Sequence, residues 1–198
     1  MASSVDERKE QKVEDIRAAA QSKACQVRQA LYYIEGFLEG PMCGRCFPCS
    51  MGSFEAKRRL ENIAGGRGGG ADLAALVRIA GNMLEASMCR KGKDTARFIL
   101  EWAATDGFRA HLEGRCPEKQ CEALIEYRVV LEKCTNCGLC AEACRHRAIL
   151  GEKRKPFLSG YPPFEIRQKR CVKCGDCLPV CPEGAIVVVD ASAQPEKA

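Results

Sequence analysis

The sequence predicts an α+β fold in two parts, a bundle of helices followed by a smaller module with short strands. Apolar residues recur at helical spacing through the first half of the chain. Eight of the fifteen cysteines stand in two runs in the last third, each with the spacing C-x2-C-x2-C-x3-C. A length of 198 residues allows one domain or two small ones, so a two-part organisation fits it.

The two cysteine runs carry the strongest chemical signal. CTNCGLCAEACR begins at Cys134, and CVKCGDCLPVCP begins thirty-seven positions later at Cys171. With this spacing, three thiolates of a run bind one [4Fe–4S] cluster and the fourth binds the other, as in bacterial two-cluster ferredoxins. The predicted ligand sets are Cys134, Cys137, Cys140 and Cys181 for one cluster, and Cys171, Cys174, Cys177 and Cys144 for the other. Zinc binding by these runs is the less favoured alternative, because zinc sites rarely use this compact order twice.

Short apolar runs flank the cysteines and predict how the module closes. Tyr127 to Val130 and Ile186 to Val189 are expected to pair as edge strands of a ferredoxin-like domain over residues 127–190. The tail at 191–198 is expected to be disordered. The linker between the runs has basic stretches at 153–155 and 167–170, which either dock an acidic partner or form a solvated loop.

One position differs between the two runs in a way that affects redox chemistry. Arg145 stands where the second run has Pro182, and His146 and Arg147 follow it. Positive charge near a cluster favours its reduced form. We therefore predict that the cluster bound by Cys144 has the higher reduction potential of the pair.

Residues 1–40 are predicted to form one long amphipathic helix that contains Cys25. The stretch from about Val5 to Leu38 contains no proline, and its apolar positions from Val13 to Leu38 step by threes and fours with a skip near Ala24. Gly40-Pro41 ends the helix. The charged start either binds a partner or frays in solvent.

Residues 41–115 are predicted to form a helical bundle around a third cluster. Cys43, Cys46 and Cys49 have the spacing C-x2-C-x2-C in a loop rich in glycine and proline. Two helices, from Phe54 to Ile63 and around Leu73 to Leu84, bring the chain back to Cys89, the natural fourth ligand. The glycine-rich loop at 65–70 lacks the Lys-Ser/Thr ending of a phosphate-binding loop, so it is interpreted as a flexible connector. A further helix is expected to be capped by Asp94.

Four candidate ligands remain, and they predict a zinc site. His111 precedes Cys116 and Cys121 with the spacing H-x4-C-x4-C. With Cys25 they make a Cys3His set, which suits a closed tetrahedral zinc site. The alternative is that these side chains only pack. A zinc ion here would hold the first helix to a hinge at 116–126, between the bundle and the ferredoxin-like module.

The segments PMCGRCFPCSMG, MCRKGKD and FRAHLEG resemble the C-terminal iron–sulfur region of the NADH-oxidising flavoprotein subunit of complex I. The resemblance is greatest to the corresponding subunit of electron-bifurcating hydrogenases and related dehydrogenases, and it covers roughly Cys25 to Val189. The resemblance implies that Cys43, Cys46, Cys49 and Cys89 hold a cluster beside a flavin. It also implies a structural zinc site in the region ahead of the ferredoxin-like module. These 198 residues do not include the family's flavin- and NADH-binding domain, and Ser50 stands where the family usually has arginine. The chain is therefore expected not to oxidise NADH by itself.

The expected function is electron relay within a larger oxidoreductase. The implied partners are a flavoprotein NAD(P)H-oxidising subunit and a hydrogenase, formate dehydrogenase or similar low-potential subunit, with external ferredoxin also possible. Alternatives are a free ferredoxin-like carrier or a redox sensor that responds to cluster loss. No catalytic residues are expected, because no nucleophile–base pair or nucleotide motif is evident.

The composition indicates a cytoplasmic location and argues against nucleic acid as a partner. The N-terminus shows no export signal, and no segment has the roughly 18 apolar residues that span a bilayer. The clustered thiols suit a reducing cytoplasm and anaerobic metabolism. The formal charge of +5 counts each thiol as neutral. Three clusters and one zinc would change it to about −2, so nucleic-acid binding is not expected.

Overall fold

The computed structural model describes residues 12–155 and 162–192. The chain divides into two compact units, Met1–Leu124 and Ile125–Ala198. Within the described residues, the long helices belong to the first unit and the strands to the second. The predicted α+β fold class is therefore confirmed.

The described part of the first unit, residues 12–124, is built from six α-helices that enclose an apolar core. In chain order they are α1 (Val13–Gln21), α2 (Gln26–Glu39), α3 (Phe47–Ala64), α4 (Gly70–Ala86), α5 (Arg90–Ala103) and α6 (Asp106–Leu112). A short 3-10 turn at Glu122–Leu124 ends the unit.

The prediction of one long helix over residues 1–40 is wrong, because the chain breaks between α1 and α2. Cys25 is not inside a helix but precedes α2 in an extended conformation, with φ −78° and ψ 125°. The break coincides with the skip in apolar spacing near Ala24, and it allows each helix to bury its own apolar face. Gly36 permits close packing of the pair, since a Cβ there would lie 2.9 Å from Ile16 Cγ2. The part of the prediction at 1–11 lies outside the described residues.

Two further helices begin at a cysteine, earlier than the sequence pattern predicts. α3 starts at Phe47 rather than Phe54, with Pro48 in its first turn, where a missing N–H costs nothing. α5 starts directly after Cys89. Asp94 is therefore not its cap, and its carboxylate accepts hydrogen bonds from Arg90 and Arg97 instead.

An aromatic cluster fixes α2 against α5. The Tyr33 ring meets Phe98 edge-on at 5.2 Å, and its hydroxyl lies 3.1 Å from Thr95 Oγ1. Trp102 Nε1–H donates to Gln29 Oε1 at 3.2 Å. Buried polar atoms of this cluster are thus paired, which makes the packing of the two helices specific.

The glycine-rich loop joins α3 to α4, as the sequence predicts. Gly68 packs tightly against α3, since a Cβ there would lie 2.4 Å from Ile63 Cγ1. The Gly69 N–H donates to Asp72 Oδ2 at 3.1 Å, and Arg59 pairs with the same carboxylate. These contacts stabilise the N-terminus of α4 at the end of the loop.

The described residues of the second unit, 125–155 and 162–192, form two small antiparallel sheets. The predicted edge strands are confirmed: β1 (Ile125–Val129) pairs with β4 (Ile186–Asp190), with Tyr127 opposite Val188. A second pair, β2 (Ile149–Leu150) and β3 (Glu165–Ile166), was not predicted. One short helix, α7 (Leu139–Ala143), carries Cys140. The end of the predicted tail, 193–198, lies outside the described residues.

Across the described ranges 12–155 and 162–192, no helix is both long and apolar enough to cross a membrane.

Candidate metal centres

The first unit brings one Cys3His group together in its interior. Cys25 comes from the start of α2, His111 from α6, and Cys116 and Cys121 from the segment after α6. All four side chains are buried, and their ligand atoms lie within 4.8 Å of one another. These are the four residues that the sequence analysis grouped.

The distances in this group fit a tetrahedral zinc ion. Cys25 Sγ lies 3.7 Å from Cys121 Sγ, and His111 Nε2 lies 3.2 Å from the first sulfur and 3.3 Å from the second. Zinc–sulfur bonds of about 2.3 Å at tetrahedral angles require sulfurs about 3.8 Å apart. His111 Nδ1–H donates to the Gly107 carbonyl at 2.6 Å, which leaves Nε2 free to bind a metal.

The local electrostatics favour loss of a proton from one thiol of this group. A hydrogen bond from Cys121, together with the smaller effect of His111, lowers the pKa of Cys25 to about 4 against the opposing effect of burial. The same hydrogen bond raises the pKa of Cys121. Backbone contacts hold the loop, since the Gln120 N–H donates to Cys116 Sγ at 3.3 Å and the Cys25 N–H donates to Gln120 Oε1 at 3.1 Å.

A second group of cysteines gathers where α3 and α5 begin. Cys46 and Cys89 occupy the N-cap positions of these helices, and Cys49 lies in the first turn of α3. Burial, followed by the proximity of Cys46, Cys89 and Cys43, raises the pKa of Cys49 to about 11. Two helix N-termini therefore meet at these cysteines, and their free N–H groups favour negative charge there. This suits an anionic iron–sulfur cluster.

Ser87 and Gly92 complete this second group, and sequence reasoning missed both. A Cβ at Gly92 would lie 3.1 Å from Cys49 Sγ and 2.8 Å from Ser87 Oγ, so glycine keeps this space open. Ser87 is 4% exposed, and its hydroxyl has no hydrogen-bond partner among the described residues. A buried hydroxyl without a partner is costly, so it is well placed to donate to a group held by the cysteines. Their positions flanking Cys89 are the signal that could have identified them.

Among the described residues of the second unit, two cavities are each lined by four cysteines. One is lined by Cys134, Cys137, Cys140 and Cys181, and the other by Cys144, Cys171, Cys174 and Cys177. Each cavity thus combines three cysteines of one run with the last cysteine of the other. The same grouping follows from the spacing of the two runs.

The two cavities are built alike, as the internal repeat requires. Gly138 and Gly175 have φ of 82° and 84°, a conformation that favours glycine and lets the backbone pass close to a bound group. The Ala148 N–H donates to Cys144 Sγ at 3.3 Å, and the Ala185 N–H donates to Cys181 Sγ at 3.2 Å. Such N–H···S bonds stabilise thiolate ligands of iron–sulfur clusters.

Comparison with known protein families identifies two iron–sulfur regions in the chain. Residues 29–115 match the NADH-ubiquinone oxidoreductase-F iron-sulfur binding region, and residues 133–185 match the 4Fe-4S dicluster domain. The first match contains the cysteines at the starts of α3 and α5, and the second contains the eight cysteines that line the two cavities. The chain therefore carries two regions that each match an iron–sulfur domain, and these matches support an electron-transfer role.

Curated relatives belong to three kinds of oxidoreductase. The chain is 33% identical over 135 residues to the NADP-reducing hydrogenase subunit HndC of Solidesulfovibrio fructosivorans, a match that covers 67% of this chain and 27% of that protein. It is 37% identical over 65 residues to the beta subunit of the NADP(+)-dependent formate dehydrogenase of Moorella thermoacetica, covering 33% and 9%. It is 32% identical over 96 residues to an NADH-quinone oxidoreductase subunit of Mycobacterium tuberculosis, covering 47% and 21%. The matched region thus spans about a quarter or less of each relative.

Proposed function

We propose that this chain is an electron-transfer subunit that relays single electrons through three [4Fe–4S] clusters. One end of the relay exchanges electrons with a flavoprotein that oxidises or reduces NAD(P)H. The other end serves a low-potential enzyme, such as a hydrogenase or a formate dehydrogenase, or an external ferredoxin. The observation that carries the proposal is the arrangement of twelve cysteines in three sets of four, in domains of two iron–sulfur families.

The proposed ligands are the sets predicted from the sequence. They are Cys43, Cys46, Cys49 and Cys89 in the first unit, and in the second unit Cys134, Cys137, Cys140 and Cys181, and Cys171, Cys174, Cys177 and Cys144. When bound, [4Fe–4S] clusters supply one-electron redox chemistry. Backbone N–H groups of the chain stabilise the negative charge of the thiolates. Each set includes at least one exposed cysteine. Each site therefore has an edge open to a redox partner.

The proposed partners rest on the named activities of the relatives. A hydrogenase subunit that reduces NADP, a formate dehydrogenase subunit that depends on NADP(+) and an NADH-quinone oxidoreductase subunit share nicotinamide chemistry. A nicotinamide donates a hydride, whereas iron–sulfur clusters accept single electrons, so a flavin is the natural intermediary. A reducing cytoplasm suits the many thiolate ligands.

Native purification under anoxic conditions tests the relay. The expected result is co-elution with a flavoprotein, about twelve iron atoms per chain, and reduction of the clusters by NADH or NADPH only in the complex. Elution of the fully loaded chain alone would instead indicate a free carrier. Loss of a cluster at physiological oxygen exposure without sustained electron flux would indicate a sensor.

We further propose that Cys25, His111, Cys116 and Cys121 hold a structural zinc ion. Cys25→Ala is expected to remove the zinc and lower Tm by roughly 10 °C or more, because metal binding contributes folding free energy. Metal analysis and calorimetry of anoxically prepared protein measure both effects. Cys137→Ala is the matched control and is expected to retain the zinc. Unchanged zinc content and Tm in Cys25→Ala would contradict the proposal.

A further inference from the structure

The second unit has a basic surface that two separate parts of the sequence build together. Arg145, His146 and Arg147 precede β2, and Arg167, Lys169 and Arg170 follow β3. Pairing of Ile149 with Ile166 brings these segments side by side, and the Arg167 N–H donates to the Ala148 carbonyl at 2.8 Å. We call these six residues the basic surface.

The positive charge of this surface is not neutralised locally. All six side chains are exposed, and within residues 12–155 and 162–192 none of them makes an ion pair. Elsewhere in the same unit, Arg128 pairs with Glu126, and Lys153 pairs with Glu142. The basic surface thus presents up to five permanent positive charges to solvent, with Glu165 and Asp176 as exposed acidic neighbours.

The basic surface lies beside one proposed cluster site. His146 lines the cavity formed by Cys144, Cys171, Cys174 and Cys177, and Arg145 and Arg170 directly adjoin two of those cysteines. Val172, which is 50% exposed, lines the same cavity, and Cys174 is exposed. An apolar centre with a charged rim is the usual composition of a protein–protein interface.

The sequence alone suggested a different grouping of basic residues. It placed the basic stretches at 153–155 and 167–170 on one linker. In the structure the Arg154 N–H donates to the Asn136 carbonyl at 3.1 Å, which places the first stretch beside the other cysteine loop. The second stretch joins residues 145–147 instead. The two basic stretches of the linker therefore border different cysteine loops, and one can serve as a control for the other.

We propose that the basic surface docks an acidic, one-electron redox protein at the cluster site formed by Cys144, Cys171, Cys174 and Cys177. The inference rests on the proposed relay function and names its docking site. Complementary charge steers association and orients partners, so it increases the rate of productive encounter. In the exchange one electron leaves the donor and reduces the acceptor, and no bond forms or breaks.

Stopped-flow mixing of the photoreduced, fully loaded chain with an oxidised, acidic plant-type [2Fe–2S] ferredoxin tests the proposal. The wild-type second-order rate constant is expected to fall steeply with added salt. At low salt, the Arg167→Glu/Lys169→Glu variant is expected to react about tenfold more slowly. The control Arg154→Glu/Lys155→Glu carries the same charge change and is expected to stay within about twofold of wild type. Arg167→Gln/Lys169→Gln is expected to show an intermediate loss, and equal iron content verifies that the variants are loaded.

Riboflavin, a small uncharged acceptor, separates this proposal from the relay function. All the variants are expected to reduce it at equal rates. Equal slowing with ferredoxin in both Glu variants, or no slowing in either, overturns the docking site. If the wild-type chain reduces riboflavin but not ferredoxin, the proposed docking site is also overturned. Binding of duplex DNA that Arg167→Glu/Lys169→Glu abolishes would assign the basic surface to nucleic acid and overturn it too. Failure of all proteins with riboflavin would instead count against the relay.

Discussion

Burial separates the cysteines of this chain into two kinds. Cys25, Cys116 and Cys121 are each 0% exposed, whereas each proposed iron–sulfur set includes an exposed member. One metal ion draws its four ligand atoms together, as in the Cys3His group, while a cube of four irons keeps its cysteine sulfurs farther apart. Across the described residues, the Cys3His group is accordingly the one set whose ligand atoms converge within 4.8 Å.

Ser87 is expected to tune the cluster proposed for the first unit. Ser87→Ala should lower its reduction potential by tens of millivolts, because a hydrogen bond worth about 1 kcal/mol to the reduced cluster is lost. A redox titration followed by EPR measures this. Ser22→Ala, which removes an exposed hydroxyl, is the control and should leave the potential unchanged. An unaltered potential in Ser87→Ala would show that its hydroxyl does not reach the cluster.

Arg145 is expected to raise the potential of the cluster proposed at Cys144. Arg145→Pro, which copies the residue of the second run, should lower that potential because a neighbouring positive charge no longer favours the reduced form. The same EPR titration reports both clusters of the second unit. The cluster proposed at Cys181 should change less and serves as an internal control. Equal potentials in wild type and Arg145→Pro would contradict the prediction.

Among the secondary-structure elements, the first residues of helices α3 and α5 were predicted incorrectly from the sequence. Apolar periodicity identified the middles of α3, α4 and α5, because those turns pack on the core. It placed the starts of α3 and α5 too late, since the first turn of each faces the cysteines rather than the core. Cys46 and Cys89 lack side chains that usually mark an N-cap, so neither boundary had a recognisable signal.

Gly92 is expected to be essential for the site at the starts of α3 and α5. In Gly92→Ala, a methyl group would lie 2.8 Å from Ser87 Oγ and 3.1 Å from Cys49 Sγ, so we expect loss of about four iron atoms per chain. Gly81→Ala in α4 is the control, because its Cβ would have no neighbour within 4 Å. It should retain all iron and gain roughly 0.5–1 kcal/mol of stability. Iron analysis and thermal unfolding check both; full iron in Gly92→Ala would refute the expectation.

The sequence predicted the cysteine groupings of the second unit and the pairing of β1 with β4, but it did not predict the pairing of β2 with β3. Three ligands of each set lie in one tight loop, so the sequence alone indicates that they converge. β2 and β3 have two residues each, too few for any alternating pattern to be recognised. The sequence therefore showed the two basic segments, but not that β2 and β3 bring them side by side. The break before Cys25 was marked only by a skip in apolar spacing.

At the scale of the whole molecule, each unit has its own apolar core and its own set of proposed metal sites. We expect residues 1–124 to fold alone and to bind one zinc ion and about four iron atoms. Residues 125–198 should fold alone with about eight iron atoms. Circular dichroism and metal analysis of the two fragments, compared with the full chain, test this. A fragment that aggregates or binds no metal would show that the units depend on each other.

The buried Cys3His group also bears on the order in which the protein is assembled. Cys25 lies near the start of the first unit's sequence and the other three ligands lie near its end, so the group forms only when the helices pack together. The exposed cysteines of the iron–sulfur sets remain within reach of a delivery protein after folding. If the proposed sites bind these metals, we expect zinc to be acquired during folding and the clusters to be inserted afterwards. On the same proposal, a cell short of iron would accumulate a folded, zinc-loaded chain that awaits its clusters.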